Sequence, residues 1–445
     1  MDGSLQNESR FLNVRCGQSN RGYAKSRGVF EVISLIYENK PVRVCLIGVT
    51  HICHNPRLLR EADSLAEAGH DVRVVSPSFA AELDEKDKRH VGRRRWRHES
   101  INYIPSTLSG KTRSIFIRGR RKLAHEVYQR VGGHRMGEYA YATALSEQRS
   151  QASLEPADWF IAHAHAALPI AAAAASRWSA RLGFDCEDLL TENGTDPVDI
   201  VHQIEKTYLP LCDYISTASE GIGARLERDY GVQPVVLYNV FPLHLANGLL
   251  PPEQRPESQQ LRLLWFSQTI GPGRGMEEAI EAVAMLDNRV ELHLRGSPSR
   301  GYESVLRALA RHRRVNLRIH SQIDHDDLIR TMDQFDVGLA LERPEKVNAA
   351  LTVSNKIGTY LLAGLAIAAT ETPGQLELMR QCAGGGFLYP PGNPKLLAEG
   401  LRPWIADRAA LRNSQQAAWE VARGRFCWDI EQQKWLSRLD AKSTN

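Results

Sequence analysis

Long apolar runs, paired cysteines and a phosphate-loop signature are all missing from this sequence, and each absence closes a class of function. Two apolar stretches fall short as membrane spans: "VFEVISLI" (29–36), too short to span a bilayer and interrupted by Glu31, and the Ala-rich "ALPIAAAAASRW" (167–178), bounded closely by His165 before it and Arg177 near its end. Neither predicts a transmembrane helix. Residues 1–40 are polar and aperiodic and lack the basic start and small-residue cleavage site of a signal peptide, so they read as a disordered N-terminal tail. Seven cysteines, an odd number with no C-x-x-C pair, fit reduced buried thiols in a cytoplasmic protein better than a disulfide framework. His51 and His54 lie close together, but no second ligand pair follows at zinc-site spacing, and no metal is expected. No G-x-x-x-x-G-K-[ST] is present, which argues against an ATPase. Charge of one sign is also scarce: 56 Lys+Arg against 52 Asp+Glu leave +4, too little to read the whole chain as a nucleic-acid binder.

What charge asymmetry exists is local. Residues 86–130 carry fourteen Lys/Arg against three Asp/Glu, including "RRRWR" (93–97) and "RGRRK" (118–122). Such a run is either a solvated loop with a basic helix or a contact for an anionic surface. In the second reading Arg93, Arg94, Arg95, Arg120 and Arg121 are the membrane-contact candidates, and the protein is peripheral on the inner face of the membrane.

The remainder, 42% hydrophobic and 24% charged over 445 residues, has the composition of a folded chain long enough for two domains. "VRVCLIG" (42–48) is an unbroken β-branched run, as in a strand buried on both faces. A helix follows, with Asn55 as N-cap, Pro56 at its first position and Gly69 at its end, and "DVRVVS" (71–76) is the next strand. Strand and helix patterns alternate through "DWFIAHAH", "DYISTAS" and "PVVLYNV" (234–240). A Pro-rich polar stretch (246–260) has linker composition, and a second alternation runs from "LRLLWFS" (261–267) to "GFLY" (386–389). Beyond it, 405–440 reads as helix throughout. The predicted architecture is α/β: two doubly wound Rossmann-like domains, 41–245 and 261–425, facing a central cleft, with a C-terminal helix (426–445) packing back toward the first domain.

Two loops carry candidate phosphate chemistry. "TVSNKIGTYLLAGLAIAAT" (352–370) opens a helix with Ser354, Asn355 and Lys356, so free backbone N–H groups, the positive dipole end and an ammonium coincide, with Ser354 or Thr352 as cap. "SQTIGPGRGMEEAI" (267–280) sets a Gly/Pro-rich loop and Arg274 at another helix mouth. Lys356 and Arg274 together read as two cations for one diphosphate.

"SNKIGTYLLAGLAIAAT" (354–370), with "THICHNPRLLREADSLAEAGHDVRVV", "ADWFIAHAHAALP" and "GFDCED", and "ISTASEGIGARLERDYGVQPVVLYNVFP", resembles a family-4 glycosyltransferase of the GT-B fold over roughly residues 41 to 440. The resemblance implies retaining transfer from a nucleotide-diphosphate sugar, as co-substrate and without a bound metal, to a glycan or lipid-linked acceptor in polysaccharide or glycolipid synthesis. It implies catalytic roles for His165, Glu187 and Asp188, with His165 at the cleft and His163 in the core. Ser354, Asn355, Lys356 and Arg274 would hold the diphosphate. The ribose and base would meet Thr359, Glu342, Gly296 and Ile323, and the acceptor side would present His51, Asn55 and Arg57. Family members carry a glutamate where this chain has Thr359, with Glu342 the candidate substitute. Two other functions stay open: a binding or scaffold protein on a degenerate transferase fold, and a nucleotide-sugar epimerase of the same shape.

Overall fold

The computed structural model describes residues 41–286 and 289–440. The predicted tail over 1–40 lies outside them. The described residues begin with β1 (Arg43–Ile47), α1 (Pro56–Glu67), β2 (Asp71–Ser78), α2 (Ala81–Val91) and β3 (Arg97–Asn102). Three helices follow, α3 (Leu108–Val131), α4 (His134–Tyr141) and α5 (Leu145–Ala152). Then come β4 (Trp159–His163), α6 (Leu168–Trp178), β5 (Arg181–Cys186), α7 (Val198–Tyr208), β6 (Tyr214–Thr217), α8 (Glu220–Tyr230) and β7 (Val235–Val236). The seven strands make one parallel sheet in the order β3-β2-β1-β4-β5-β6-β7.

A second parallel sheet, in the order β10-β9-β8-β11-β12-β13, repeats the plan. Its elements are β8 (Leu261–Ile270), α9 (Met276–Ala284), β9 (Val290–Pro298), α10 (Tyr302–Arg313), β10 (Asn316–His320), α11 (His325–Ile329) and β11 (Val337–Ala340). They continue as α12 (Val347–Leu351), α13 (Asn355–Ala363), β12 (Ala366–Thr370), α14 (Pro373–Met379) and β13 (Gly386–Tyr389). The last described elements are α15 (Pro394–Ala406), α16 (Arg408–Gly424), α17 (Trp428–Glu431) and α18 (Gln433–Asp440). In each sheet the strand order reverses beside the first strand, between β1 and β4 and between β8 and β11. Ligands bind at such switch points, beyond the carboxyl ends of the strands.

Alternation along each central strand explains the unbroken apolar runs. Cys45 and Ile47 of β1 face one core, whereas Val44 and Leu46 face the other. Ala366 and Ala368 of β12 divide from Ile367 and Ala369 in the same way. α1 starts as the sequence predicts, with Asn55 Oδ1 accepting from Leu58 N at 2.9 Å.

The boundaries differ from expectation at three places. β7 is only Val235–Val236, because Leu237–Val240 leave the sheet to pack between the halves. The polar edge strand β3, "RHESIN", carries no apolar run to announce it. The C-terminal stretch is not one helix: Asp407 caps α16 through Ala409 N at 2.8 Å, and the chain turns again at Arg425–Cys427. That turn sends α17 and α18 onto the first sheet. There Trp435 stacks on Tyr214 with ring centroids 6.3 Å apart, and Trp428 Nε1 donates to Ser64 Oγ at 2.6 Å. The linker is packed rather than loose, since buried Arg255 donates to the carbonyls of Ala363 and Gly364.

Candidate functional site

Beyond β1, β4 and β5 lies a recess of about 90 Å³ lined by Asn55, His163, Ala164, His165, Asp185, Glu187, Asp188 and Leu190. It owes its shape to Ala164, a non-glycine residue at φ 75°, ψ 156°, a conformation that costs of order 1–3 kcal/mol and persists only where surrounding structure enforces it. The kink turns both neighbouring histidines inward. His163 is buried as expected, but so is His165, which therefore does not stand exposed at the cleft. His165 Nε2 lies 2.8 Å from Glu205 Oε1, and Glu205 in turn accepts from the Tyr230 hydroxyl.

Below the recess sits a buried ionic cluster. Arg57 donates to both oxygens of Asp185 at 2.7 and 2.8 Å and to the Leu237 carbonyl at 2.8 Å. Ser216 Oγ adds a 2.6 Å bond to Asp185. His163 approaches Glu61 at 3.2 Å and Asp185 at 3.4 Å. Burial disfavours the charged imidazole, yet the two carboxylates outweigh it and raise the His163 pKa to about 9. Burial likewise opposes the Asp185 charge, and Arg57 with His163 overcomes it, holding Asp185 well below the usual carboxylate range. Two cations and two anions then balance. Glu61, His163 and Asp185 also bring three possible ligand atoms within 4.8 Å of one another, but Arg57 already supplies both carboxylates with a cation.

Above the cluster, Glu187 accepts from Asn239 Nδ2 at 2.7 Å, and its pKa is pushed up to about 7 by burial, with Asp188 and Asp185 adding and Arg57 opposing. Asn239 also accepts from Arg60. Burial, then the neighbouring Arg57, lowers the Arg60 pKa to about 10.

Three acceptor-side expectations meet this geometry differently. Asn55 lines the recess. Arg57 does not offer its charge to an acceptor, because it is buried and spent on Asp185. His51 is buried too: Nδ1 lies 2.6 Å from Asp87, while Nε2 accepts from Phe79 N and Ala80 N. Both its nitrogens are committed to holding β2 and α2.

Facing the recess, the second half-site is built at the carboxyl ends of β8 and β11. Glu342 Oε1 accepts from Lys356 Nζ at 2.6 Å and from Ser354 Oγ at 2.7 Å. Its Oε2 is shielded from solvent and has no hydrogen-bond partner among the described residues. Burial would raise the Glu342 pKa, but Lys356 and Ser354 outweigh that and lower it, so the carboxylate is charged. Lys356 Nζ also sits 5.6 Å from the centre of the Trp265 ring. Ser354 occupies the N-cap position of α13 without capping it, its hydroxyl being drawn to Glu342, and Thr352 bonds the Asn348 carbonyl instead. The first turn of α13 therefore keeps free N–H groups at Asn355 and Lys356. The loop bearing Arg274 abuts this place: Gly275, at φ 81°, lies so close to Leu341 that a Cβ would fall 2.7 Å from the leucine Cβ. Arg274 itself is exposed and donates to Ser267 Oγ at 2.8 Å.

Thr359 is wholly buried and its hydroxyl returns to the Asn355 carbonyl at 3.0 Å, so it is not presented to a ribose. Gly296 is explained by packing, because a Cβ there would meet Ser267 O at 2.3 Å where β8 bulges. Ile323 packs against the core under β11 and α13.

Asn348, which the sequence reading passed over, joins the two half-sites. Its side chain donates to Asp188 Oδ1 at 2.9 Å and accepts from Leu189 N at 2.7 Å. Lys346 Nζ reaches the Asn193 carbonyl at 2.7 Å beside it. Missed with it were Glu61, Asp185 and Asn239: Arg57 and Glu61 stand four apart on α1, but His163 for Glu61, Arg57 for Asp185 and Arg60 for Asn239 are partners more than a hundred residues away, which no local spacing marks. Of the basic run, Arg94 is tied to Asp63, Arg120 to Glu147, and Arg121 to Ala140 and Thr143, leaving Arg93 and Arg95 exposed.

Residues 260–407, the greater part of the second half, match the family model described as glycosyl transferases group 1. No curated protein matches the chain. Solved structures similar to it include a glycosyltransferase from Rickettsia africae, 14% identical, covering 91% of this chain and 100% of that one at a TM-score of 0.62. Another is Anabaena Alr3699/HepE in complex with UDP, 16% identical over 90% of this chain and 100% of that one, TM-score 0.64. A putative UDP-N-acetylglucosamine 2-epimerase from Listeria monocytogenes is also similar, 12% identical over 91% and 97%, TM-score 0.51. At these identities the likeness is one of fold: two parallel-sheet α/β domains of the GT-B type.

Proposed function

We propose that the protein transfers a sugar from a nucleotide-diphosphate sugar to a glycan or lipid-linked acceptor bound at the β1–β4–β5 recess. One observation carries this reading: α13 begins uncapped, beside the Lys356–Glu342 pair, in the half that matches the glycosyl transferases group 1 model. Lys356 spends one of its three donors on Glu342 and keeps the others. With Arg274 and the α13 N–H groups it would meet the charge that grows on the leaving diphosphate, with no resident metal called for. Glu342 Oε2 would accept from a ribose hydroxyl, taking the place of the glutamate that Thr359 replaces. Across the cleft, Glu187, partly ionised near neutral pH, stands with Asp188 and His165 where an acceptor hydroxyl would be oriented. Retention of anomeric configuration follows the family resemblance.

The test is thermal unfolding against UDP, GDP, ADP and their sugar conjugates. A ligand at about 100 times its dissociation constant adds roughly 2.7 kcal/mol. The expected result is a shift with one nucleotide, lost in Lys356→Ala and reduced in Glu342→Gln, together with release of that nucleotide when an acceptor is supplied.

A second reading, a nucleotide-sugar-binding protein without turnover, is favoured by the neutralisation of Lys356 by Glu342. It predicts the same thermal shift with no turnover on any acceptor. An epimerase would convert the sugar nucleotide with no acceptor present. No shift with any nucleotide refutes all three.

A further inference from the structure

We infer that the outward face of α3 is a binding surface for an anionic lipid bilayer. The inference is independent of the transferase reading, because it rests on a different part of the molecule. α3 is held to the first half along one side, where Gly110, Ser114, Ile117 and Ala124 are buried. Arg120 and Arg121 belong to that attachment, bonded to Glu147 and to Ala140 and Thr143, so they are not the membrane contacts the sequence pattern implies.

The opposite side carries what an attached helix should hide. Leu108, Ile115, Phe116 and Leu123 are 81%, 64%, 64% and 66% exposed, and successive members of the set Leu108, Ile115, Leu123 stand about two helical turns apart on one stripe. Single exposed leucines are ordinary, but a stripe of large apolar side chains marks an interaction surface. Lys111, Arg118 and Lys122 flank it, all exposed and without an ion-pair partner among the described residues. The helix bears seven Lys/Arg and one glutamate.

The occupant must satisfy both features together. A second copy of the chain would bring the same seven cations against these, which like-charge repulsion opposes. A negatively charged bilayer accepts both: the apolar stripe enters the boundary between headgroups and acyl chains, and the lysines and arginine meet lipid phosphates. Helices that bind membranes in this way lie flat in the interface, and α3 presents its stripe along its length.

The experiment is co-sedimentation of the full chain with vesicles of phosphatidylcholine alone or mixed with phosphatidylglycerol, at low and high salt. Expected is binding to the mixed vesicles only, weakened by salt. Replacing Lys111→Gln, Arg118→Gln and Lys122→Gln should lower partition about fivefold per charge. Phe116→Ser with Leu123→Ser should abolish binding while the unfolding temperature and any nucleotide-induced shift stay as in the parent chain. The inference is overturned by absent or lipid-independent sedimentation, or by unchanged binding of both variants. A concentration-dependent dimer in analytical ultracentrifugation that the Phe116/Leu123 variant dissolves would overturn it equally, giving the face to a second copy.

Discussion

Protonation of His163 bears directly on the stability of this fold. It is wholly buried, its pKa is raised from the ordinary 6.5 to about 9, and it shares Glu61 and Asp185 with Arg57. A raised folded-state value means that the protonated form stabilises the native state. Its contribution is complete below pH 6.5 and is lost as pH rises through about 9, because the folded state then gives up a proton the unfolded chain has already released. The loss is of order 3 kcal/mol. Unfolding temperature measured across that window should fall in the parent chain, and His163→Gln should be less stable at neutral pH but flat across it. A flat parent profile would show that the cluster is neutral at His163. The Glu187 pKa is also raised, up to about 7 and chiefly by burial, but in a carboxyl a raised value disfavours the charged form, so Glu187 is only partly ionised near neutral pH.

At the scale of elements, α13 explains the composition of its own stretch. It lies on β11 with Tyr360 pressed onto Gly338, where a Cβ would sit 2.2 Å from the ring, and the Tyr360 hydroxyl reaches the Leu264 and Leu339 carbonyls at 3.1 and 3.0 Å. Apolar residues beyond Lys356 fix the helix, and the polar residues at its mouth are left to face the cleft. Gly338→Ala should therefore cost about 1–3 kcal/mol or more, since both the tyrosine and the strand are held from the far side. The measurement is denaturant unfolding, and a change below about 0.5 kcal/mol would show that Tyr360 can yield.

Across the whole molecule, the two halves are tied near the proposed chemistry as well as at the back. α17 and α18 return to the first sheet, and α12 reaches over the loop after β5 through Asn348 and Lys346. The Asn348 bonds, one of them to the Asp188 carboxylate, together contribute about 2 kcal/mol to the closed arrangement. Asn348→Ala should lower kcat/KM roughly thirtyfold while leaving the nucleotide-induced thermal shift intact, because it touches the first half and not the phosphate site. An equal loss of nucleotide binding would place Asn348 in the donor site itself.

The alternation of buried runs and capped helices determined the architecture by itself. Strands enclosed on both faces must be apolar throughout, and the βα repeats must wind in parallel, so two doubly wound halves were legible from β1, β8, β12 and their helices. The placement of Ser354, Lys356 and Arg274 at helix mouths was legible for the same local reason, since a helix mouth is read from consecutive residues. Only the tertiary structure decided how charges are spent. Arg57 and His51 read as free site residues until burial paired them with Asp185 and Asp87. Lys356 and Glu342 read as separate candidates until β11 and α13 set them 2.6 Å apart. Polar β3 and the arginines of α3 gave no local sign of which were anchored and which were bare. Ion pairs form between residues distant in sequence, and their energy depends on burial and separation, quantities that no pattern along the chain contains.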